Sequence, residues 1–421
     1  MDAWRGEYVM SYEPNWMKKR RDLARSLINR LPEPKYGVHI DLDEFLYEAK
    51  KWYRVETIDD LPPEVREVLN RMGLFSRNSA IQVDGDIVYN ELRKNIPDGV
   101  IVENIEAAIR KYPYIENYWF KTVPLSLNKL TAINAAYSRG GFFIHVGEKV
   151  RLKTPIQACF LVASSKYAQL PHNILIAEPH SEVHILTGCT ALTFTAFSLH
   201  AGLTEIFVKE GARVIYTMIH MWPPGVHIRP LKGVVVENGG EFISNYVLLR
   251  GGASLQAFPT VILRGRAATT STRSIVIGTD STDIDLGKAV YLLGEKSSAR
   301  LISRAVAMGK SNIKIRLKAL GKAHNVKAHL ECDGIIVSDE ASIKAIPELI
   351  GHSKNAELHH EASIGKVAEE QLLYLMSRGF EPEEATALIV RGFLDPSGMG
   401  LPKPLERQVR AMVKMFVEKA L

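Results

Sequence analysis

The sequence predicts a mainly β chain, a parallel β-helix flanked by an N-terminal, mainly helical (α+β) domain and a C-terminal helical domain. Three observations carry that expectation. Turn-forming residues recur about every 12 to 17 residues, or about twice that, through the middle of the chain. Short alternating strands follow them, and helical periodicity is confined to the two ends.

Residues 1–127 read as the N-terminal domain. Apolar residues recur at three- and four-residue steps, and Pro32, Pro34, Pro62 and Pro63 punctuate them. The basic run Lys18-Lys19-Arg20-Arg21, with Arg25 and Arg30, alternates with Met17, Leu23, Leu27, Ile28 and Leu31 at helical spacing, which reads as a solvated helix face. Asp84-Gly85 between two β-rich runs reads as a hairpin turn.

Residues 128–365 read as the β-helix. Turn clusters fall near Gly147, Ser181, Gly211, Gly239, Gly252, Asp280 and onward to Gly351, each followed by a strand such as Val183-His184-Ile185 or Ile313-Lys314-Ile315. A sandwich of that length would be unusually large and would leave the regular spacing unused. From Lys366 to Leu421 the helical period returns. Gly379 reads as a C-cap and Pro382 as a first-turn residue of a helical hairpin that closes the open end of the solenoid.

A chain of 421 residues with 46% hydrophobic content can bury a long core. No apolar run approaches the roughly 18 residues of a membrane span, and the start, with Asp2, Arg5 and Glu7, carries no apolar secretory stretch, so the cytoplasm is expected and a membrane is not. The net charge of +6 is spread along the chain, with no aromatic-interleaved basic motif to suggest nucleic acid.

Gly309-Lys310-Ser311 lacks the earlier glycine of a phosphate loop, because Arg304 stands there, and so reads as a turn. Neither GxSxG, HExxH nor CxxC occurs, so nucleotide energy would come from a partner. The three cysteines are too few and too widely spaced for a disulfide framework. Cys159, in an apolar run, reads as a core residue, whereas Cys189 and Cys332 have polar company. His359-His360-Glu361 adds metal-ligand types, although neighbours on a strand point to opposite faces. A solvated polar rim is an equal reading of those residues. Cys189 and Cys332 lie roughly five coils apart, of order 20 Å along the axis, and cannot act at one site within one chain.

The stretch from Leu330 to Leu394, LECDGIIV through HHEAS, EEQLLY and SRGF to VRGFL, closely resembles the C-terminal core of the SufB/SufD family of iron–sulfur cluster assembly scaffolds. LTGCTA followed by LHA, EPNWMKKRR, NKLTAINAAYSRGGFFIHV and YTMIHMWPPG resemble further family blocks in the same order, covering nearly the whole chain. The resemblance implies a right-handed β-helix that is a scaffold and not an enzyme. It implies that Cys332, His360 and Glu361 are cluster-assembly residues at a subunit interface, and that Cys189 accepts sulfur, with His220 and Trp222 at tunnel positions where the family carries Gln and Trp. Leu161 and Ala163 stand where bacterial relatives carry Arg and Asn.

The same resemblance implies a transient iron–sulfur cluster as cargo and docking of the ABC-type ATPase SufC on the C-terminal helices, through Glu370, Arg378, Glu381, Glu384 and Arg391. It further implies a cysteine desulfurase or other sulfur donor and apo iron–sulfur proteins as recipients. SufB-type cysteines on a short, SufD-like chain fit an archaeal-type single SufBD subunit, as a homodimer or in a SufB/SufD-like heterodimer. A flavin requirement is left open. The competing expectation is a β-helix that binds or cleaves polysaccharide; no ladder of Asp and Glu at turn spacing supports it.

Overall fold

The computed structural model describes residues 13–48, 50–72, 79–92 and 96–420, with side chains to residue 418. Its centre is a parallel β-helix. Early coils have three strands each, as in Glu182–Ala191, Ser198–His200 and Leu203–Val208; later coils have two, as in Ser298–Ala307 and Asn312–Gly321. The change falls at Asp283–Leu292, whose first half pairs with Ser254–Ala257 and second half with Thr260–Leu263.

Successive coils stack in register. Arg213 lies opposite Glu241, then Thr269, Ser298, Lys327 and Glu357, so one turn takes 28 to 30 residues. Alternation decides what each coil contributes. In Asn312–Gly321, Ile313, Ile315, Leu317 and Ala319 are buried in the common core while Lys314, Arg316 and Lys318 between them are only partly buried. Gly309, at φ +63°, turns the chain where a Cβ would lie 2.9 Å from the Asp280 carbonyl oxygen of the preceding coil. Gly309-Lys310-Ser311 is therefore a turn, as its sequence indicates.

At the N-terminal end, the Asp84-Gly85 hairpin joins Ser79–Val83 to Asp86–Asn90, and Ser79–Val83 pairs in parallel with Ile156–Val162 to begin one sheet. Helix Asn15–Leu27 packs on helix Lys129–Tyr137. The basic run is only half solvated: Lys18 and Lys19 are exposed, but Arg20 donates to the Trp119 carbonyl and Arg21 to those of Ala136 and Ser138. Helix Lys129–Tyr137 lies inside the span expected to be strands. Seven of its nine residues, Leu130 to Ala136, are buried, so it has no polar face to give a helical period.

The C-terminal helices depart from expectation. Gly379 (φ +93°) and Pro382 mark the hairpin between Glu369–Met376 and Pro382–Phe393 as foreseen. These helices do not close the solenoid. Pro382–Phe393 and Lys403–Ala420 bury Val390, Val409 and Val413 against the outer face of the long sheet, on Ile219, Val247, Ile277 and Val306. The apolar partner of the hairpin is thus the flank of the coil. The last strands, Ser342–Gly351 and Glu357–Lys366, each pair on one side only and leave an open end.

Candidate functional site

Cys189, His220 and Trp222 all point into the β-helix and are at most 1% exposed. Register places His220 directly opposite Cys189 on the next coil. A break in pairing follows immediately, where His220 faces Leu248 but Met221 faces Arg250; bulges of this kind re-aim side chains beside sites. The Tyr246 hydroxyl lies 3.0 Å from His220 Nδ1, while His220 Nε2 and Trp222 Nε1 are buried without partners. Below them, His200 Nδ1 is 2.7 Å from Gln169 Oε1.

Two further interior residues were missed in the sequence: Lys232 and Lys288. Both occupy the apolar phase of their strands, Lys232 before Val234 and Val236, and Lys288 between Leu286 and Val290. That misplaced phase was the available signal. A cavity of about 20 Å³ is lined by Cys189, His200 and Lys232. A second, of about 40 Å³, runs between Lys232 and Lys288 past Tyr246 and Thr272. The Lys288 ammonium donates to Ser274 Oγ at 3.2 Å; Ser274 Oγ is 2.8 Å from Ser303 Oγ, and Ser303 faces Cys332 across the next pairing. Polar groups therefore line the interior from Cys189 to Cys332 over five strand steps, about 24 Å.

Burial dominates the ionisation of these groups. It holds the Lys232 and Lys288 amines down to about 7, and His200 to about 3. It pushes the Cys189 thiol well above its ordinary range, with Cys159 adding to the rise and Lys232 opposing it. Cys332 rises to about 12 for the same reason, opposed by Lys288. At neutral pH both thiols are protonated and need a base to react.

Cys332 lies on Lys327–Ile336, fully buried and inward-facing. On the final strand, His360 faces Leu330 and Ala362 faces Cys332, so His360 shares the interior face with Cys332, offset by two residues. His360 Nε2 is buried and has no partner. Glu361 faces Glu331 on the opposite, outer face and is exposed. The backbone thus brings Cys332 and His360 to one side of the open end and turns Glu361 away from them within one chain. Cys159 packs on the outer face beneath helix Pro63–Met72, with Leu161 and Ala163 beside it. Leu161 and Ala163 therefore belong to the outer packing and not to the interior lining.

Of the residues expected to dock a partner, Glu370 and Arg378 are exposed, with Arg378 over the Tyr374 ring at 5.2 Å. Glu381 and Glu384 form a capping box for helix Pro382–Phe393, and Arg391 pairs with Glu418 at 2.9 Å, so these three also hold the fold. Helix Glu369–Met376 has no buried residue and leaves Leu373 and Tyr374 exposed. No helix among the described residues is long and apolar enough to cross a membrane. Both cavities lie inside the coil and not along an outer groove of the kind a polysaccharide chain needs.

The sequence matches known proteins in both of its parts. The pattern of the SufBD protein N-terminal region matches residues 17–158, and that of the SufBD core domain of SUF-system FeS cluster assembly matches residues 160–393. An iron–sulfur cluster assembly SufBD family protein of Methanothermobacter thermautotrophicus is 36% identical, over 91% of this chain and 95% of its own. One from Pyrococcus horikoshii is 35% identical, over 96% and 93%. The iron–sulfur cluster assembly protein SufB of Bacillus subtilis is 29% identical, over 98% and 91%. Matched in both parts and over nearly its whole length, the chain belongs to the SufBD family of SUF-system iron–sulfur cluster assembly proteins.

Proposed function

We propose that this chain is a scaffold on which a nascent iron–sulfur cluster forms between two paired copies, at Cys332 of one and His360 of the other. The observation that supports this most is the open end: two edge strands with unpaired backbone, an unpartnered His360 Nε2, and Cys332 one coil behind it. A second copy meeting that edge duplicates the donors and supplies a mixed Cys/His set that iron–sulfur centres accept. Glu361, outward in one chain, acts there as a further ligand or proton acceptor.

Sulfur enters at Cys189. The Lys232 amine, beside it on the small cavity, takes the thiol proton; the thiolate attacks the outer sulfur of a donor persulfide and releases the donor thiolate, leaving a Cys189 persulfide. The polar interior between Cys189 and Cys332 then serves as the path to the assembly end. An ABC-type ATPase docks on helix Glu369–Met376, whose apolar residues lack partners in this chain, and its closure rearranges the paired ends.

Anaerobic reconstitution tests the assembly site. Cys332→Ala and His360→Ala are each expected to lower bound iron severalfold with far-UV spectrum and dimer mass intact. Full iron loading in Cys332→Ala would refute the assignment.

A further inference from the structure

We propose that Cys189, His200 and His220 form a three-ligand site for a single divalent transition-metal ion inside the β-helix. The Cys189 sulfur and one ring nitrogen from each histidine all lie within 4.8 Å of one another, and all three side chains are buried. Around a four-coordinate ion, with metal–sulfur about 2.3 Å and metal–nitrogen about 2.0 Å, such donors stand about 3.5 Å apart. The site closes with a shift of little more than about 1 Å. One thiolate with two imidazoles suits ions such as Fe2+ or Zn2+ and not Mg2+ or Ca2+.

The groups behind the ligands are already arranged for the task. Gln169 Nε2 donates to the carbonyls of Asp84 and Leu161, which turns Gln169 Oε1 toward His200 as an acceptor. His200 Nδ1 must then carry the hydrogen, and its Nε2 presents a bare lone pair. His220 offers a matching geometry, with Nδ1 3.0 Å from the Tyr246 hydroxyl, which can accept its hydrogen, and Nε2 buried with no partner. An unpaired buried nitrogen of this kind costs about 1–3 kcal/mol, which a bound cation would offset. Ligating histidines elsewhere are held through their second nitrogen in this way. The cavity of about 20 Å³ that Cys189 and His200 line leaves room for one water-sized fourth ligand. Binding replaces the thiol proton by the metal and releases that proton to solvent.

The site shares Cys189 with the proposed sulfur entry, but it needs only one chain and no sulfur donor, so its test does not depend on that reading. The test uses the full chain with Cys332→Ser, which removes the proposed cluster ligand. After chelation it is titrated anaerobically with Co2+, and bound metal and visible absorption are followed. One Co2+ per chain is expected, with a thiolate-to-cobalt charge-transfer band and the intense visible bands of tetrahedral cobalt. His220→Gln and Cys189→Ser should abolish both, and Tyr246→Phe should loosen binding about tenfold. Because His220→Gln substitutes a buried side chain of similar size, it decides the matter if Cys189→Ser does not fold. Metal analysis of protein purified anaerobically then distinguishes iron from zinc, and one of either per chain supports the site. Cobalt bound without the charge-transfer band, or with spectrum and stoichiometry unchanged in His220→Gln, would overturn it.

Discussion

Lys288 is held at a pKa of about 7 by burial, against an ordinary 10.5, and among the described residues it donates to the Ser274 hydroxyl and the Ile302 carbonyl. Between those two pH values the unfolded chain binds a proton that the folded chain does not, so stability rises with pH across that window. Below pH 7 both states carry the proton, and the full cost of burying it remains. Lys288→Met should therefore stabilise the fold most at pH 7 and below, with an advantage that shrinks by about 2 kcal/mol between pH 7 and 9. Urea midpoints of both proteins at those two pH values check it; a gap independent of pH would show that Lys288 is not a buried cation. The interior lysines also show where reading at residue level stopped. Cys189 and Cys332 stand out in the sequence because cysteine is rare in this chain, whereas Lys232 and Lys288 look like surface residues until the phase of each strand is known. His200 went unassigned for the same reason: which face Ser198–His200 turns inward depends on coils far away in sequence.

Strands and turns were the most legible elements, because an alternating run followed by a turn residue specifies both a face and a reversal within about a dozen residues. Helix Lys129–Tyr137 was not legible, since it is buried all round, nor was the docking of the C-terminal helices on the flank, since apolar residues state that a helix must be covered but not by what. Glu205 ties residues 120–122 of the N-terminal domain to the coil. Fully buried, it accepts from the Phe120 and Thr122 amides at 2.6 and 2.7 Å and lies 3.0 Å from His172 Nε2. Glu205→Ala strands two amides and a histidine, and should cost about 3–5 kcal/mol by thermal or denaturant unfolding. A loss below about 1 kcal/mol would mean the loop at Phe120 is held by its aromatic packing alone. At the other end, truncating the chain after Gly365 would bare the apolar flank under Pro382–Phe393 and Lys403–Ala420, so a point change is the cleaner probe of docking. Leu373→Asp, on a surface that is 55% exposed, should leave the melting temperature within a degree or two but abolish co-purification with the cognate ATPase. Undiminished co-purification would move the docking surface away from helix Glu369–Met376.

For the molecule as a whole, a coil of 28 to 30 residues per turn makes a rod whose two ends differ. Antiparallel strands Asp86–Asn90 and Val100–Asn104 end the two sheets at one end; at the other, Ser342–Gly351 and Glu357–Lys366 stop with free edges. The proposed assembly residues, Cys332 and His360, are found at that second end. The central claim, that Cys332 and His360 act across two chains, is tested most directly by mixing. Cys332→Ala and His360→Ala chains, carrying different affinity tags, are co-expressed, and doubly tagged dimers are reconstituted anaerobically beside each variant alone. A mixed dimer retains one intact Cys332 facing one intact His360, so it should recover about half the iron and acid-labile sulfide of the unmodified dimer, while each variant alone recovers little. Iron in the mixed dimer no higher than in the separate variants would contradict assembly between chains.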